Sequence, residues 1–415
     1  SPLFPYTPLF RSGEEEAPAR RLPENLIAGD REPGGPTIDP EDMQPVPFAS
    51  GTVVVSVVLP ESNGVIDAST EDWNEDLVRA TYLKIQAALD KTAASDPNAD
   101  LKFVLHYESA PAAGGLPGTV DTDYEFGQRA QWGSSTEGLA TADILSSIMG
   151  RTITESDLWL ASIEHTADLK RRYGADAAFM VIVAANGNYT AGLRAHAWIG
   201  GPITVLDTSY GHETFMHEFG HIFGAYDEYC PDACSPPTSI MGYLGVYNAN
   251  AFYQEGGPGI DQGRGEGAPS LMQYNQPGAV NGYTRASWGW LDTDGDGIVE
   301  VRDTFPKSEL VATVAGNRVR VTGTITDRGE SRTFGNVRYS ANRITGLELA
   351  FAANGPWFQI ALPGDTRGRQ AVDVELGTVP AGTRTIYVRG VSSVGNIEPR
   401  PLALQVTTTQ TGNTA

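Results

Sequence analysis

The chain has 415 residues, 40% of them hydrophobic, which excludes wholesale disorder and, at about 150 residues per domain, leaves room for two to three domains. Its net charge of −22 excludes nucleic acid or anionic lipid as the main partner, since both call for basic patches. The longest apolar runs, Val53–Leu59 and Ala177–Ala185, fall well short of the ~20 residues that a membrane-spanning helix needs.

Residues 1–12, SPLFPYTPLFRS, resemble a translated sequencing adapter and are set aside from fold reasoning. Residues 13–48 are rich in Pro, Glu and Gly without apolar periodicity and read as a disordered linker or the remnant of a pro-segment. Order is expected from Thr52, where TVVVSVVL reads as a buried strand. A helix is predicted over Asp72–Thr92, with Leu77, Ala80, Leu83, Ile85 and Leu89 on overlapping faces. Leu101–Tyr107 alternates as a strand, and Thr154–Tyr173 reads as a helix stopped by Gly174. Ala177–Ala185, His196–Ile199 and Ile203–Asp207 give further strand signals. Strands alternating with long helices imply an α/β domain with a mixed, mostly parallel sheet over residues 49–291. After Pro306 seven short alternating runs follow, from Val311–Val314 to Leu402–Thr408, and imply an all-β sandwich over 306–408. Residues 409–415 form a low-complexity tail.

The chemistry concentrates in the first of these domains. His217-Glu218-Phe219-Gly220-His221 is an H-E-x-x-H pattern. On a helix, positions i and i+4 emerge from one face a turn apart, so two neutral imidazoles can share one Zn²⁺. Glu218, between them, can reach an attacking water rather than the metal. Gly224 follows His221 by three residues and Asp227 follows it by six. A glycine there can take a positive φ, end the helix and turn the chain, so that Asp227 supplies a third ligand and leaves a fourth position for water. Glu228 is the alternative third ligand. His212 reads as a capping or packing residue. His106, His165 and His196 read as ordinary, with His196 lining the site if its strand does.

At HEFGHIFGAYDEY the chain resembles the metzincin clan of zinc endopeptidases, nearest to branches with Asp as third ligand, such as snapalysin-like, immune inhibitor A-like and bacterial IgA-cleaving peptidases. The specific part of the likeness is His217–Tyr229. It implies His217, His221 and Asp227 as zinc ligands and Glu218 as general base. It also implies a Met-turn beneath the metal, with a Tyr two residues on to hold the oxyanion. Two segments fit, Met241 with Tyr243 and Met272 with Tyr274, and Tyr283–Trp290, placed like the clan's last helix, favours the second. Cys230 and Cys234, the two cysteines of the chain, suit a small-loop disulfide pinning the loop after Asp227 in an oxidising, extracellular setting. The stretch GTRTIYVRGVSSVGN resembles the closing strands of immunoglobulin-like or fibronectin III-like modules of secreted bacterial proteins.

Between the two domains, residues 292–305 carry a second cation signal. Asp292, Asp294, Asp296, the Ile298 carbonyl, Glu300 and Asp303 follow a calcium-loop spacing, with Gly297 at the sharp turn and Asp in place of the usual closing Glu. These features point to a secreted zinc metalloendopeptidase acting on proteins or peptides, stiffened by calcium, whose sandwich binds substrate, a surface or a glycan. The alternative is an extracellular adhesion or carbohydrate-binding protein that uses the protease domain as a scaffold.

Overall fold

The β-branched run after Ser50 does form a strand, and it is the spine of the N-terminal sheet: β1 (Gly51–Ser62) is buried along nearly its whole length. The computed structural model describes residues 45–108, 118–129, 135–185, 195–227, 271–274, 280–315, 318–327, 340–364, 367–380 and 382–406. The chain divides into two compact units, one holding Thr52–Pro97 and Leu101–Gly289, the other Phe48–Gly51, Asn98–Asp100 and the residues from Trp290 onward.

In the first unit, β2 (Leu101–Tyr107), β1, β4 (Ala177–Ala184), β6 (Ile203–Asp207) and β5 (His196–Ala197) lie in that order, and β3 (Thr119–Thr122) also pairs with β1. The pairings of β1 with β3 and β4, and of β4 with β6, are parallel; β5 runs antiparallel to β6. Successive side chains of β4 point to opposite faces. Met180 and Ile182 join Ile144 and Leu145 of α3 (Ser135–Met149) and Leu158 and Ala161 of α4 (Leu158–Tyr173). Phe179 instead meets Phe219 and Phe223 on the other face. The sheet is thus covered on both sides, as near-continuous apolar strands require.

The helix starting near Asp72 is α1 (Glu75–Ala94), because the Asn74 side chain accepts from the Leu77 N–H and caps it there. Its buried stripe is Val78, Thr81, Ile85, Ala88, Leu89 and Thr92, whereas Leu83 is 58% exposed. Steps of three and four residues outweigh the apolar character of Leu77, Ala80 and Leu83. The helix α4 ends as expected at Gly174, which is left-handed with φ 57°. A short helix α2 (Phe126–Arg129) and the helix α3 have no counterpart in the sequence reading.

On the α4 face a polar cluster interrupts the apolar packing. Glu108 accepts from the Ser56 hydroxyl at 2.9 Å and pairs with His165 Nε2 at 2.9 Å and His106 Nε2 at 3.3 Å. Burial opposes its charge, but these donors together hold its carboxyl below the ordinary glutamate value of 4.5. A depressed carboxylate stabilises the fold above that value and loses its contribution as pH falls through the folded pKa. Glu108→Gln is therefore expected to cost about 2 kcal/mol near neutrality, the scale of hydrogen bonds to a charged group. The cost should vanish in acid, as urea unfolding at a series of pH values would show; a cost unchanged with pH would refute it.

In the second unit all named pairings are antiparallel. One sheet has the order β10 (Phe358–Ala361), β9 (Ile344–Ala350), β12 (Thr385–Ser392), β13 (Leu402–Gln405). The other is β11 (Arg369–Thr378), β8 (Arg318–Thr326), β7 (Lys307–Ala315). Val319, Val321 and Ile325 from the smaller sheet share one core with Ile344, Leu347, Ile386 and Val388 from the larger. The strict alternation along β12 shows a sheet with one face inward. All seven expected strands are present. Among the described residues, no helix is long and apolar enough to cross a membrane.

Candidate metal centre

The H-E-x-x-H residues lie on α5 (His212–Ile222). Phe215, Met216, Phe219 and Ile222 are fully buried, and Phe219 meets Phe179 of the sheet edge-on at 5.4 Å between ring centroids. Packing of this face, not length, sustains an eleven-residue helix. It ends as the sequence implies. Gly224 has φ 94°, its N–H bonds to His221 O at 2.8 Å, and the Ala225 N–H bonds back to Gly220 O at 3.0 Å. This pair of bonds is a Schellman cap, and only the left-handed glycine permits it cheaply.

The same turn orients the site. His221 Nδ1 lies 2.8 Å from Ala225 O, and His217 Nδ1 lies 2.8 Å from Leu271 O, on α6 (Leu271–Tyr274). A carbonyl accepts only, so each Nδ1 carries the proton and each Nε2 is left with a lone pair in the neutral ring. Both Nε2 atoms face one carboxylate oxygen: Asp227 Oδ1 is 3.0 Å from that of His217 and 3.4 Å from that of His221. The three atoms lie close enough together to hold one ion. Donors of a tetrahedral zinc ion with bonds near 2.0–2.1 Å stand about 3.3 Å apart, so His217, His221 and Asp227 fit such an ion. Among the described residues, one other set of acidic groups converges in this way, Asp292, Asp294 and Asp296.

The electrostatics follow from the burial. His217 and Glu218 are 4% exposed and His221 7%. Burial alone would lower the His221 pKa, but the adjacent Asp227 carboxylate outweighs it and raises the ring to about 9. Burial opposes the Asp227 charge too, yet the two imidazoles hold its carboxyl well below the ordinary range. Burial pushes Glu218 up; the imidazoles of His217 and His221 pull the other way. Among the described residues, Glu218 Oε2 has no hydrogen-bond partner. Without a metal, a protonated His221 thus balances the Asp227 charge, beside a Glu218 carboxyl whose affinity for protons is raised by burial.

Met272 is fully buried and fills the space beside Gly220, where an added Cβ would lie 2.5 Å from its sulfur. The indole N–H of Trp288, on α7 (Gly282–Trp288), donates to Gly220 O at 3.1 Å. Gly220→Ala is therefore expected to lower stability by about 1–3 kcal/mol, the usual cost of overpacking, and to weaken zinc affinity by moving the helix off Leu271. Chemical denaturation and a zinc titration would test this; a variant of wild-type stability would refute it.

Tyr274 closes α6, with its side chain outside the described set. Glu228, Cys230, Cys234, Met241 and Tyr243 lie outside the described residues. His212 opens α5 and pairs with Glu213 at 2.9 Å. His196, on β5, pairs through Nε2 with the buried Glu137 at 2.9 Å and bears electrostatically on Glu218. Glu137 was not expected. Partners 59 residues apart leave no local signature.

In the 292–303 loop, Asp292, Asp294 and Asp296 are exposed and convergent. Gly295 and Gly297 have positive φ, and Asp292 accepts from both of their N–H groups. Ile298 donates its N–H to Asp296. Glu300 instead accepts from the Thr293 N–H, and Asp303 from Asn396, so the structure gathers three of the expected carboxylates and engages the other two elsewhere. Compared with known proteins, the chain matches no family model and no curated sequence.

Proposed function

We propose that the chain is a zinc-dependent endopeptidase of the metzincin type, with His217, His221 and Asp227 holding the ion and Glu218 as general base. The observation that carries the reading is Glu218 itself. It sits one residue past the first imidazole, buried, with an oxygen that no donor satisfies among the described residues. A site built only to hold a metal, or a protease domain kept as a scaffold, gains nothing from such a carboxylate. A bound zinc ion supplies Lewis acidity and a water acidic enough to lose its proton near neutral pH. Glu218, with its affinity for protons raised by burial, would accept a proton from the attacking water and return it to the leaving amine. His196, held by Glu137, tempers this rise. Tyr274 or Tyr243 supplies a further donor to the developing oxyanion. The peptide lies extended along β5, which ends the sheet order, and gains main-chain hydrogen bonds there.

On this reading the protein works outside the cell, with calcium on Asp292, Asp294 and Asp296 and with the sandwich binding a surface or a glycan. Cleavage of casein by the purified chain, lost with phenanthroline and restored by zinc, is the expected result. Zinc bound with no cleavage of any unfolded protein would overturn the peptidase assignment; absence of zinc binding would overturn the metal centre as well.

A further inference from the structure

Strand β5 is two residues long and ends the order of its sheet, so its ladder alone is too short to fix its register. Hydrogen-bonded and non-bonded pairs alternate along an antiparallel ladder. The Trp198 N–H donates to Ile203 O at 2.9 Å, so the N–H and C=O of Ala197, opposite Thr204, turn away from β6. His196 pairs with Val205, and Trp198 packs on the same core as Val205. Both side chains therefore lie on the face of α3 and α4, opposite to that of Ala197. Each meets a helix there. His196 Nε2 lies 2.9 Å from Glu137 Oε1 on α3. The Trp198 indole stacks on Trp159 of α4, with ring centroids 5.0 Å apart and planes inclined by 20°. The Thr204 hydroxyl adds a bond to His196 O at 3.0 Å. Past the strand, the Gly200 N–H donates to His221 O at 2.9 Å, which ties this hairpin to the helix of the metal centre.

Burying an imidazole against a carboxylate adds little to stability compared with apolar side chains of the same volume, yet Glu137 and His196 are each only 8% exposed. What their hydrogen bond does provide is position, since a slip of one residue would send His196 to the other face. We propose that Glu137 and Trp159 are positioning residues for peptide cleavage, holding β5 where the main chain of Ala197 meets an extended substrate. On the peptidase reading, on which this role rests, recognition at β5 runs through main-chain groups. Every residue carries those groups, so the substrate is unfolded polypeptide rather than one sequence.

The test follows kcat, KM and zinc content together in the full chain, on a quenched peptide. Glu137→Ala should raise KM about 10-fold, the scale of one to two main-chain hydrogen bonds, with kcat and zinc content near wild type. Glu137→Gln keeps an acceptor for the imidazole N–H and should restore KM. Ala197→Pro removes the outward N–H without removing a ladder bond and should raise KM as Glu137→Ala does. Should Glu137→Ala fail to fold, Trp159→Leu carries the test, with KM again expected to rise. Wild-type KM in the variant that carries the test overturns the proposal. So does a fall in kcat at constant KM, which would put the pair in the proton chemistry, and so does a Glu137→Gln variant whose KM is as high as that of Glu137→Ala. A wild-type chain that binds zinc but cleaves no peptide overturns the peptidase reading and this role with it. Normal cleavage with a KM insensitive to these substitutions overturns the role alone.

Discussion

Glu218→Gln is expected to lower kcat by about 10²–10⁴-fold, the range for loss of a general base, while zinc content and KM stay near wild type. Stability should move the other way. The wild-type carboxylate is buried, its pKa is raised mainly by that burial, and Oε2 accepts no hydrogen bond from the described residues. Replacing it by a neutral amide of the same shape removes a charge that is costly to desolvate, so metal-free stability should hold or rise by up to about 1 kcal/mol. Opposite signs for activity and stability separate a catalytic group from a structural one, because a carboxylate kept for packing would lose both together. Turnover of a quenched peptide, zinc by elemental analysis and urea unfolding measure the three quantities. Turnover at the wild-type rate would remove Glu218 from the chemistry.

The centre was legible in the sequence because its logic is local. Two imidazoles four residues apart on one helix, a glycine that caps it and an acid six residues on are all encoded within eleven positions, from His217 to Asp227, and helix geometry alone brings them together. The seven strands of the sandwich were legible for a similar reason, since a one-sided sheet alternates with period two. The α3 helix was not, because it is buried on several sides and Thr141 and Glu137 lie among its buried residues, which blurs the amphipathic stripe. Pairs such as Glu137 with His196 depend on chain segments that meet only after folding. Their composition carries no spacing rule, and they become visible only when the hydrogen bonds around them are accounted for one by one.

Asp227→Asn should leave the fold intact and weaken zinc by at least about 100-fold, beyond the 10–100-fold usual for partners that merely orient a ligand. The two imidazoles keep their aim in this variant, because Leu271 O and Ala225 O hold their Nδ1 atoms independently of Asp227, so binding should be weakened rather than abolished. At a fixed excess of free zinc, a 100-fold loss removes about 2.7 kcal/mol of metal-linked stabilisation, and thermal melts with and without zinc would read it directly. Asp207 provides the control. It is a buried acid of the same unit, but its carboxylate is occupied by Ser209, and Asp207→Asn should leave zinc affinity unchanged. The neighbouring Glu228 completes the comparison: if Asp227→Asn binds zinc like wild type while Glu228→Gln does not, the third ligand is Glu228. The cap at Gly224 would then deliver the next carboxylate along, although it is Asp227 Oδ1 that stands 3.0 and 3.4 Å from the two ring nitrogens.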